Sequence, residues 1–245
     1  MGREEKGAMK IEFRKVKALK AKNATVIVGF PTAGLVGSIA ASYLTSKLDM
    51  DFVGYFTSDK IPPVTAVHDY KPLPPIRVYA SESKHLVVVL SEIVVPISLS
   101  AEMASHIADL SEKVNAPLLV TLGGISQNEE EKGVYIISTD QRLSDDIVKR
   151  NLAKKVKEGA TTGVVGLLLF PGVVKPPVLA VLGESEGERP DPGAAVEVLR
   201  TLSKIIDMPI DTNELSREAE LLAQAASESI ISSKILKKKL GSMYG

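Results

Sequence analysis

One glycine-rich segment of the chain stands where α/β proteins often bind phosphate. Residues 29–38 follow a run of β-branched residues and precede a helical pattern, which is the setting of a phosphate-binding loop. The segment lacks the Lys-Ser/Thr pair of a nucleotide P-loop, because Leu35 and Val36 stand at those positions, and its glycines do not fit G-x-G-x-x-G. The sequence therefore favours a structural role, in which glycines let a helix pack closely on a strand.

The side chains of catalytic or metal-ligating type are scattered along the chain. Ser38, His68 and Asp69 have the chemistry of a hydrolase triad, but no G-x-S-x-G elbow surrounds Ser38. His68, Asp69 and His106 do not have the spacing of metal ligands on one helix face, and the chain contains no cysteine. Neither a hydrolase triad nor a metal site is predicted.

Three glutamates fall near the predicted ends of strands or helices, where α/β enzymes place catalytic groups. They are Glu92, Glu102 and Glu184. We interpret them as surface carboxylates, since charged side chains usually stay in contact with water. The sequence as a whole thus predicts no catalytic residue, no metal and no cofactor.

The last three residues form a hydrophobic-tyrosine-X pattern suited to docking into a partner. They are Met243, Tyr244 and Gly245. Tyrosine offers a flat apolar ring with one polar group, and a terminal carboxylate can pair with a buried lysine. A basic group precedes the pattern: Lys237, Lys238 and Lys239. These lysines would either stabilise a helix by interacting with the negative end of its dipole or steer the tail toward an acidic surface. We predict that all six residues form a partner-binding site.

Composition narrows the possible classes of protein. The 245 residues are enough for one large α/β domain. The 30 basic residues balance 30 acidic ones, without the basic excess typical of nucleic-acid-binding proteins. No apolar run reaches the roughly 18 residues that a membrane helix needs, and the N-terminus lacks the apolar stretch of a secretory signal. We therefore expect a cytoplasmic protein with neither nucleic-acid nor membrane partners.

Apolar strand patterns alternate with helical ones, which predicts a three-layer α/β domain with a mixed, partly parallel sheet. The predicted strands cover 11–16, 24–28, 52–56, 76–80, 86–90, 117–122, 134–138, 163–170 and 178–182, and the predicted helices cover 34–44, 98–114, 140–155, 191–206 and 212–240. The strand at 117–122 is expected to end at Gly123-Gly124, and 72–75 to form a proline-rich loop. Residues 163–170 form either a strand of their own or a tight glycine-flanked turn into the strand at 178–182. We expect 76–80 and 86–90 to pair as a hairpin, and Asp191 to cap the helix that begins there. We predict a flexible segment at 1–9, one domain over 10–240 and a tail at 241–245.

Six short motifs occur in order along residues 10–240. They are Gly29-Phe30-Pro31, Gly34-Leu35-Val36-Gly37, Pro72-Leu73-Pro74-Pro75, Thr121-Leu122-Gly123-Gly124, Gly163-Val164-Val165-Gly166 and Pro190-Asp191-Pro192-Gly193-Ala194-Ala195. Each motif is short, but in this order and spacing the series resembles the archaeal form of the proteasome assembly chaperone family.

This resemblance implies a phosphorylase-like α/β fold, no established catalytic activity, self-assembly of identical copies into a ring or tunnel, and binding to the proteasome core particle. Our leading hypothesis is therefore an ATP-independent homo-oligomer that acts as an assembly chaperone or activator. The tail likewise resembles the hydrophobic-tyrosine-X (HbYX) signal that docks between α-subunits of that particle, with Tyr244 packing between subunits and Met243 filling an apolar notch. Two alternatives remain open. One is an oligomeric scaffold or chaperone whose tails engage a different partner, and the other is a phosphorylase- or hydrolase-type enzyme that binds an anion at 29–38.

Overall fold

Short runs of valine, isoleucine and leucine build the central strands, because β-branched side chains pack well on a pleated surface. The computed structural model describes residues 11–126, 133–187 and 189–221. The strands are β1 (Glu12–Lys15), β2 (Thr25–Gly29), β3 (Asp51–Thr57), β4 (Ala66–His68), β5 (Lys71–Leu73), β6 (Ile76–Ser81), β7 (Leu86–Ser91), β8 (Leu119–Ile125), β9 (Val134–Ser138), β10 (Lys154–Lys155) and β11 (Val178–Glu184). The helices are α1 (Val36–Lys47), α2 (Ile97–Lys113), α3 (Gln141–Lys149), α4 (Gly163–Leu168) and α5 (Pro192–Ile205), and a final helical segment covers 213–221.

Nine of these strands form one mixed sheet in the order β1-β3-β6-β7-β2-β8-β11-β9-β10. Its central strands β7, β2, β8 and β11 run parallel, whereas β1, β3 and β6 on one side are antiparallel to their neighbours. The carboxyl ends of the four parallel strands therefore meet at one edge of the sheet, which we call the carboxyl edge. Strands β4 and β5 form a separate hairpin.

Helices cover both faces of the sheet. On one face α2 and α4 bury Leu99, Met103 and Leu168 against the apolar side chains of the central strands. On the other face α1, α3 and α5 bury Leu44 and Leu199 among a second apolar set. Strands β2 and β7 contribute apolar side chains to both layers, because successive residues of a strand point to opposite faces of the sheet. The prediction of a three-layer α/β domain with a mixed, partly parallel sheet is confirmed.

The predicted strand at 163–170 is wrong, since this run forms helix α4. Gly163, the first residue of α4, has a φ of 66°, which breaks the extended path where the helix begins. Val164 and Leu168 then turn into the core beneath α2. An apolar run this short does not distinguish a buried strand from a buried helical turn, so its neighbours decide.

Two further predicted boundaries are wrong. The helix predicted over 140–155 ends at Lys149, because Asn151 adopts a left-handed φ of 54° and Lys154–Lys155 then pairs with β9. Strand β8 does not end at Gly123-Gly124 but continues through it to Ile125.

The segment predicted as a proline-rich loop at 72–75 contributes Pro72 and Leu73 to strand β5 of the small hairpin. By contrast, the prediction that the segments around 76–80 and 86–90 pair is confirmed, with Ser81 opposite Leu86. The cap of α5 is confirmed as well, because the Asp191 side chain accepts a hydrogen bond from the Ala194 N–H at 2.9 Å. No helix within the described ranges is long and apolar enough to span a membrane.

Replacing Gly37 by alanine should destabilise the fold strongly. A β-carbon at this position would lie 2.2 Å from the Leu122 carbonyl oxygen, which belongs to the backbone of β8 and cannot move aside. Alanine favours a helix over glycine by about 1 kcal/mol, but overpacking against backbone outweighs that gain. We expect a loss of about 3 kcal/mol in the free energy of unfolding, measured by chemical denaturation. Gly159→Ala is the control, since its β-carbon would meet nothing nearer than 3.5 Å. Equal stability of the two variants would contradict the clash.

Candidate functional site

All six residues of the predicted partner-binding site lie outside the described residues. They are Lys237, Lys238, Lys239, Met243, Tyr244 and Gly245. The flexible segment predicted at 1–9 and residues 222–240 of the predicted last helix also lie outside them. The docking tail therefore stays a prediction.

The start of the final helical segment is anchored to the body of the domain. Asp211 accepts a hydrogen bond from the Asn213 N–H at 2.9 Å, and the Tyr43 hydroxyl of α1 donates to the Asp211 carbonyl at 3.0 Å. Lys47 of α1 pairs with Glu214 in the first turn. The origin of the segment that leads toward the tail is thus fixed relative to α1.

The loop at 29–38 packs tightly against the carboxyl edge. A β-carbon at Gly124 would lie 2.0 Å from the Ala33 carbonyl oxygen, and one at Gly34 would lie 2.2 Å from the Ser185 hydroxyl. The Gly124 N–H donates to the Thr32 hydroxyl at 2.8 Å, so a side chain of the loop ties the loop to β8. This packing supports the structural interpretation of the loop over a phosphate-binding one.

Ser38, His68 and Asp69 do not form a hydrolase triad. The Ser38 hydroxyl donates to the Ser91 carbonyl at 2.8 Å, whereas His68 Nε2 lies 2.5 Å from Glu92 Oε1. Asp69 sits in the exposed turn between β4 and β5. Within the described ranges no hydrogen bond connects Ser38 with either of the other two.

An ion cluster at the carboxyl edge joins the small hairpin to the main sheet. Its members are Arg77 of β6, Glu92 just after β7, and His68 of β4; we call it the Arg77 cluster. The Arg77 side chain is only 2% exposed, and its guanidinium donates to Glu92 Oε1 at 2.6 Å and to the Pro74 carbonyl at 2.8 Å. A buried arginine needs such partners, because an unpaired buried charge is costly.

The electrostatics of Glu92 follow from this cluster. Partial burial acts to raise the pKa of the Glu92 carboxyl, but the hydrogen bonds and charges of Arg77 and His68 outweigh it and hold the pKa below its ordinary value. Glu92 also lines an open cavity of about 390 Å³ between α1 and the final helical segment. Because Arg77 and His68 already engage its oxygens, the carboxylate acts here as a structural anion.

The remaining candidates have structural contacts too. Glu102 accepts a hydrogen bond from the Ile11 N–H at 2.7 Å, and His106 Nε2 lies 3.0 Å from the Ile11 carbonyl, so both hold the chain where it enters β1. The interpretation of the glutamates as surface carboxylates is wrong for Glu184, which is 8% exposed, and incomplete for Glu92. Among the described residues no three His, Cys, Asp or Glu side chains are grouped as a metal site would require.

Sequence reasoning missed Arg77 altogether. It stands in Ile76-Arg77-Val78-Tyr79-Ala80, where one charge among apolar strand residues is the only local signal. Its burial depends on Glu92 and Pro74, which come from other segments. A charged residue in an otherwise apolar strand was the pattern that could have revealed it.

Fold and site together define a three-layer α/β protein with a mixed nine-stranded sheet and a closely packed glycine loop at its carboxyl edge. The family model of the PAC2 family matches residues 26–230. The chain belongs to the PAC2 family. An uncharacterized protein of Methanocaldococcus jannaschii is 30% identical over 223 residues, which cover 89% of this chain and 90% of that protein.

Solved structures agree with this assignment. Pyrococcus furiosus PbaA, an archaeal homolog of proteasome-assembly chaperone, is 30% identical with a TM-score of 0.81, covering 96% of this chain and 97% of that one. Pyrococcus furiosus PbaB, an archaeal proteasome activator, has a TM-score of 0.76 over 89% of this chain and 98% of that one. At 22% identity the likeness to PbaB shows the fold alone. The family resemblance drawn from the sequence motifs is confirmed.

Removing Arg77 should cost far more stability than removing an exposed arginine. Arg77→Met leaves the Glu92 carboxylate and the Pro74 carbonyl without their buried donor, and we expect a loss of about 3 kcal/mol in the free energy of unfolding. Arg14→Met is the control, because Arg14 pairs with Glu12 at the surface and such pairs contribute less than about 1 kcal/mol. The double variant Arg77→Met/Glu92→Met should recover part of the loss. A loss no larger than that of the control would contradict the role of the cluster.

Stability should depend on pH through Glu92. The folded-state pKa of this carboxyl lies below its ordinary value of 4.5, so between the two values the unfolded state binds more protons than the folded state. The stabilising contribution is therefore complete above 4.5 and is lost as the pH falls through the folded-state pKa. Denaturation at a series of pH values should show the wild type losing its advantage over Glu92→Gln on acidification. A difference that stays constant with pH would rule this contribution out.

Proposed function

We propose that the protein is a cytoplasmic, ATP-independent proteasome assembly chaperone or activator that works as a homo-oligomer. In this proposal the C-terminal tails of several copies dock into pockets of the proteasome α-ring. Each tail contributes Met243, Tyr244 and Gly245, and Lys237, Lys238 and Lys239 steer it toward the acidic rim of its pocket.

The observation that carries the proposal is membership of the PAC2 family together with the similarity to PbaA along nearly the whole length of both chains. Homology of this extent supports a related partner, although fold alone would not. The described part of the chain adds support, because the loop at 29–38 packs closely against β8 and its Thr32 and Ser38 hydroxyls are engaged in structural hydrogen bonds. This packing weighs against the phosphorylase- or hydrolase-type alternative.

Physical considerations explain why oligomerisation belongs to the mechanism. A three-residue tail buries little surface, so one tail binds weakly. Copies held in a ring present several tails at once, and each tail after the first binds at a high effective concentration. In the described part of the chain, the start of the final helical segment, which precedes the tail in the sequence, is anchored on α1.

Deleting residues 243–245 should abolish binding to purified archaeal core particles while leaving the oligomer unchanged. Native mass measurement of the protein alone and mixed with core particles checks both points. Tyr244→Ala should weaken binding by about tenfold or more, since a docked aromatic ring is a typical hot spot. Ser242→Ala is the matched control in the same segment and should bind as the wild type does.

Four outcomes separate the possible functions. Undiminished binding of the deleted form would reject the docking proposal. A well-formed oligomer that does not bind core particles favours the alternative of a scaffold or chaperone with another partner. If binding occurs, a rise in peptide hydrolysis by mature core particles identifies an activator, whereas faster assembly of α-subunits without that rise identifies an assembly chaperone.

A further inference from the structure

The hairpin β4–β5 exposes an aromatic side chain at its tip. His68 pairs with Lys71, so the turn consists of Asp69 and Tyr70 alone. Tyr70 is fully exposed, with a relative accessibility of 102%, and Val67 on the same hairpin is 67% exposed. A tyrosine ring in water at the end of a projecting hairpin contributes nothing to the core of its own chain.

The backbone at this tip is unusual for a tyrosine. Asp69 and Tyr70 have φ values of 48° and 62°, which is the conformation of a two-residue type I′ turn. Such turns prefer Asp-Gly, because a bulky residue with positive φ is strained. An aromatic residue stands where glycine would form the same turn without strain, and local strain of this kind clusters at functional sites.

The hairpin is also held in place. His68 contacts Glu92, and Arg77 binds both Glu92 and the carbonyl of Pro74 just beyond β5. Pro72 within β5 further restricts the backbone. A protruding element fixed by the Arg77 cluster loses little entropy on binding, which favours a role as a preformed contact.

A recess of matching character lies elsewhere on the same chain. Between β1, β3 and α2 there is a cavity of about 180 Å³ whose walls are mainly aromatic and aliphatic: Phe13, Leu19, Phe56 and Leu110. Phe13 stands on the exposed edge strand β1 and is 36% exposed, with its ring 5.1 Å from that of Phe56. His106, Asp109 and Lys113 of α2 also line it. The recess has the size and chemistry to receive one phenol ring.

The charges around the hairpin tip and the recess are complementary. Asp69 and Lys71 flank Tyr70, while the recess presents Asp109 and Lys113. All four are exposed, and none has an ion-pair partner among the residues that the structure describes. A docked hairpin would set an acid against a base on each side of the ring.

We propose that Tyr70 of one copy inserts into the recess formed by Phe13, Leu19, Phe56 and Leu110 of the next copy, with Lys71 facing Asp109 and Asp69 facing Lys113. The donor and acceptor surfaces differ, so the contact is heterologous and closes into a ring when the rotation between copies allows it. This inference rests on the homo-oligomer of the proposed function and names the surface through which its copies meet.

Directed disulfide formation tests the contact, because the chain has no cysteine of its own. Under mild oxidation the double variant Lys71→Cys/Asp109→Cys should give a ladder of covalent oligomers on a denaturing gel. Each single variant should stay uncrosslinked, as should Lys71→Cys/Val148→Cys, whose second cysteine lies on the opposite helical layer. Crosslinking by Lys71→Cys alone would reveal a symmetric contact between hairpins and overturn the proposal, and so would a double variant that gives no ladder.

Tyr70→Gly separates assembly from folding. Glycine fits the type I′ turn, so thermal unfolding followed by circular dichroism should show the hairpin and the domain intact. Loss of the ring should raise the concentration for half-maximal assembly, measured by analytical ultracentrifugation, by about tenfold or more. Phe170→Ala, which removes another exposed ring, should leave assembly unchanged. Unchanged assembly of Tyr70→Gly would overturn the proposal.

These measurements use the purified full chain without core particles. A chain that binds core particles through its tail but forms no ladder rejects the Tyr70 contact alone. A ladder without core-particle binding rejects the docking function alone.

Discussion

The close approach of α1 and its preceding loop to the sheet is the constraint on which the architecture depends. Gly29 and Gly37 have no side chains, so the helix lies directly on β2 and β8, where even one methyl group would meet backbone oxygen. Gly124 lets the loop backbone lie against β8 in the same way. Because this contact is made by backbone, it is rigid, and it orients the layer that α1 shares with α5 and with the start of the final helical segment.

This constraint shapes what the carboxyl edge can do. In many α/β proteins the loop after a central strand leaves a crevice in which a ligand binds. Here the Thr32 hydroxyl accepts a hydrogen bond from the Gly124 N–H, and the Ser38 hydroxyl donates to the carbonyl of Ser91. These contacts give the carboxyl edge a structural role. The functional elements that we propose are instead the tip of the β4–β5 hairpin and the last three residues of the sequence.

The Arg77 cluster connects the carboxyl edge to the β4–β5 hairpin. One arginine binds Glu92 at the end of β7 and Pro74 at the end of β5, and His68 reaches the same carboxylate from β4. A two-stranded hairpin is marginally stable by itself, so these contacts are what give it a fixed direction. The same charges lower the pKa of Glu92, which makes the connection between the sheet and the hairpin sensitive to acid.

Sequence alone determined the layer architecture, most strand positions, the cap at Asp191 and the family, because periodicity and turn chemistry are local and the motifs keep a fixed order. It also marked the tail, whose pattern needs no fold to be recognised. Only the tertiary structure decided that 163–168 is helical, that Glu92 and Glu184 are buried to different degrees, and that Arg77, His68 and Glu92 meet. Each of these depends on neighbours from distant segments. The helix at 163–168 packs against α2, and the Arg77 cluster brings together residues from β4, β6 and the end of β7. The burial of a charged side chain depends on the residues that surround it in space, and those residues are distant from it in the sequence.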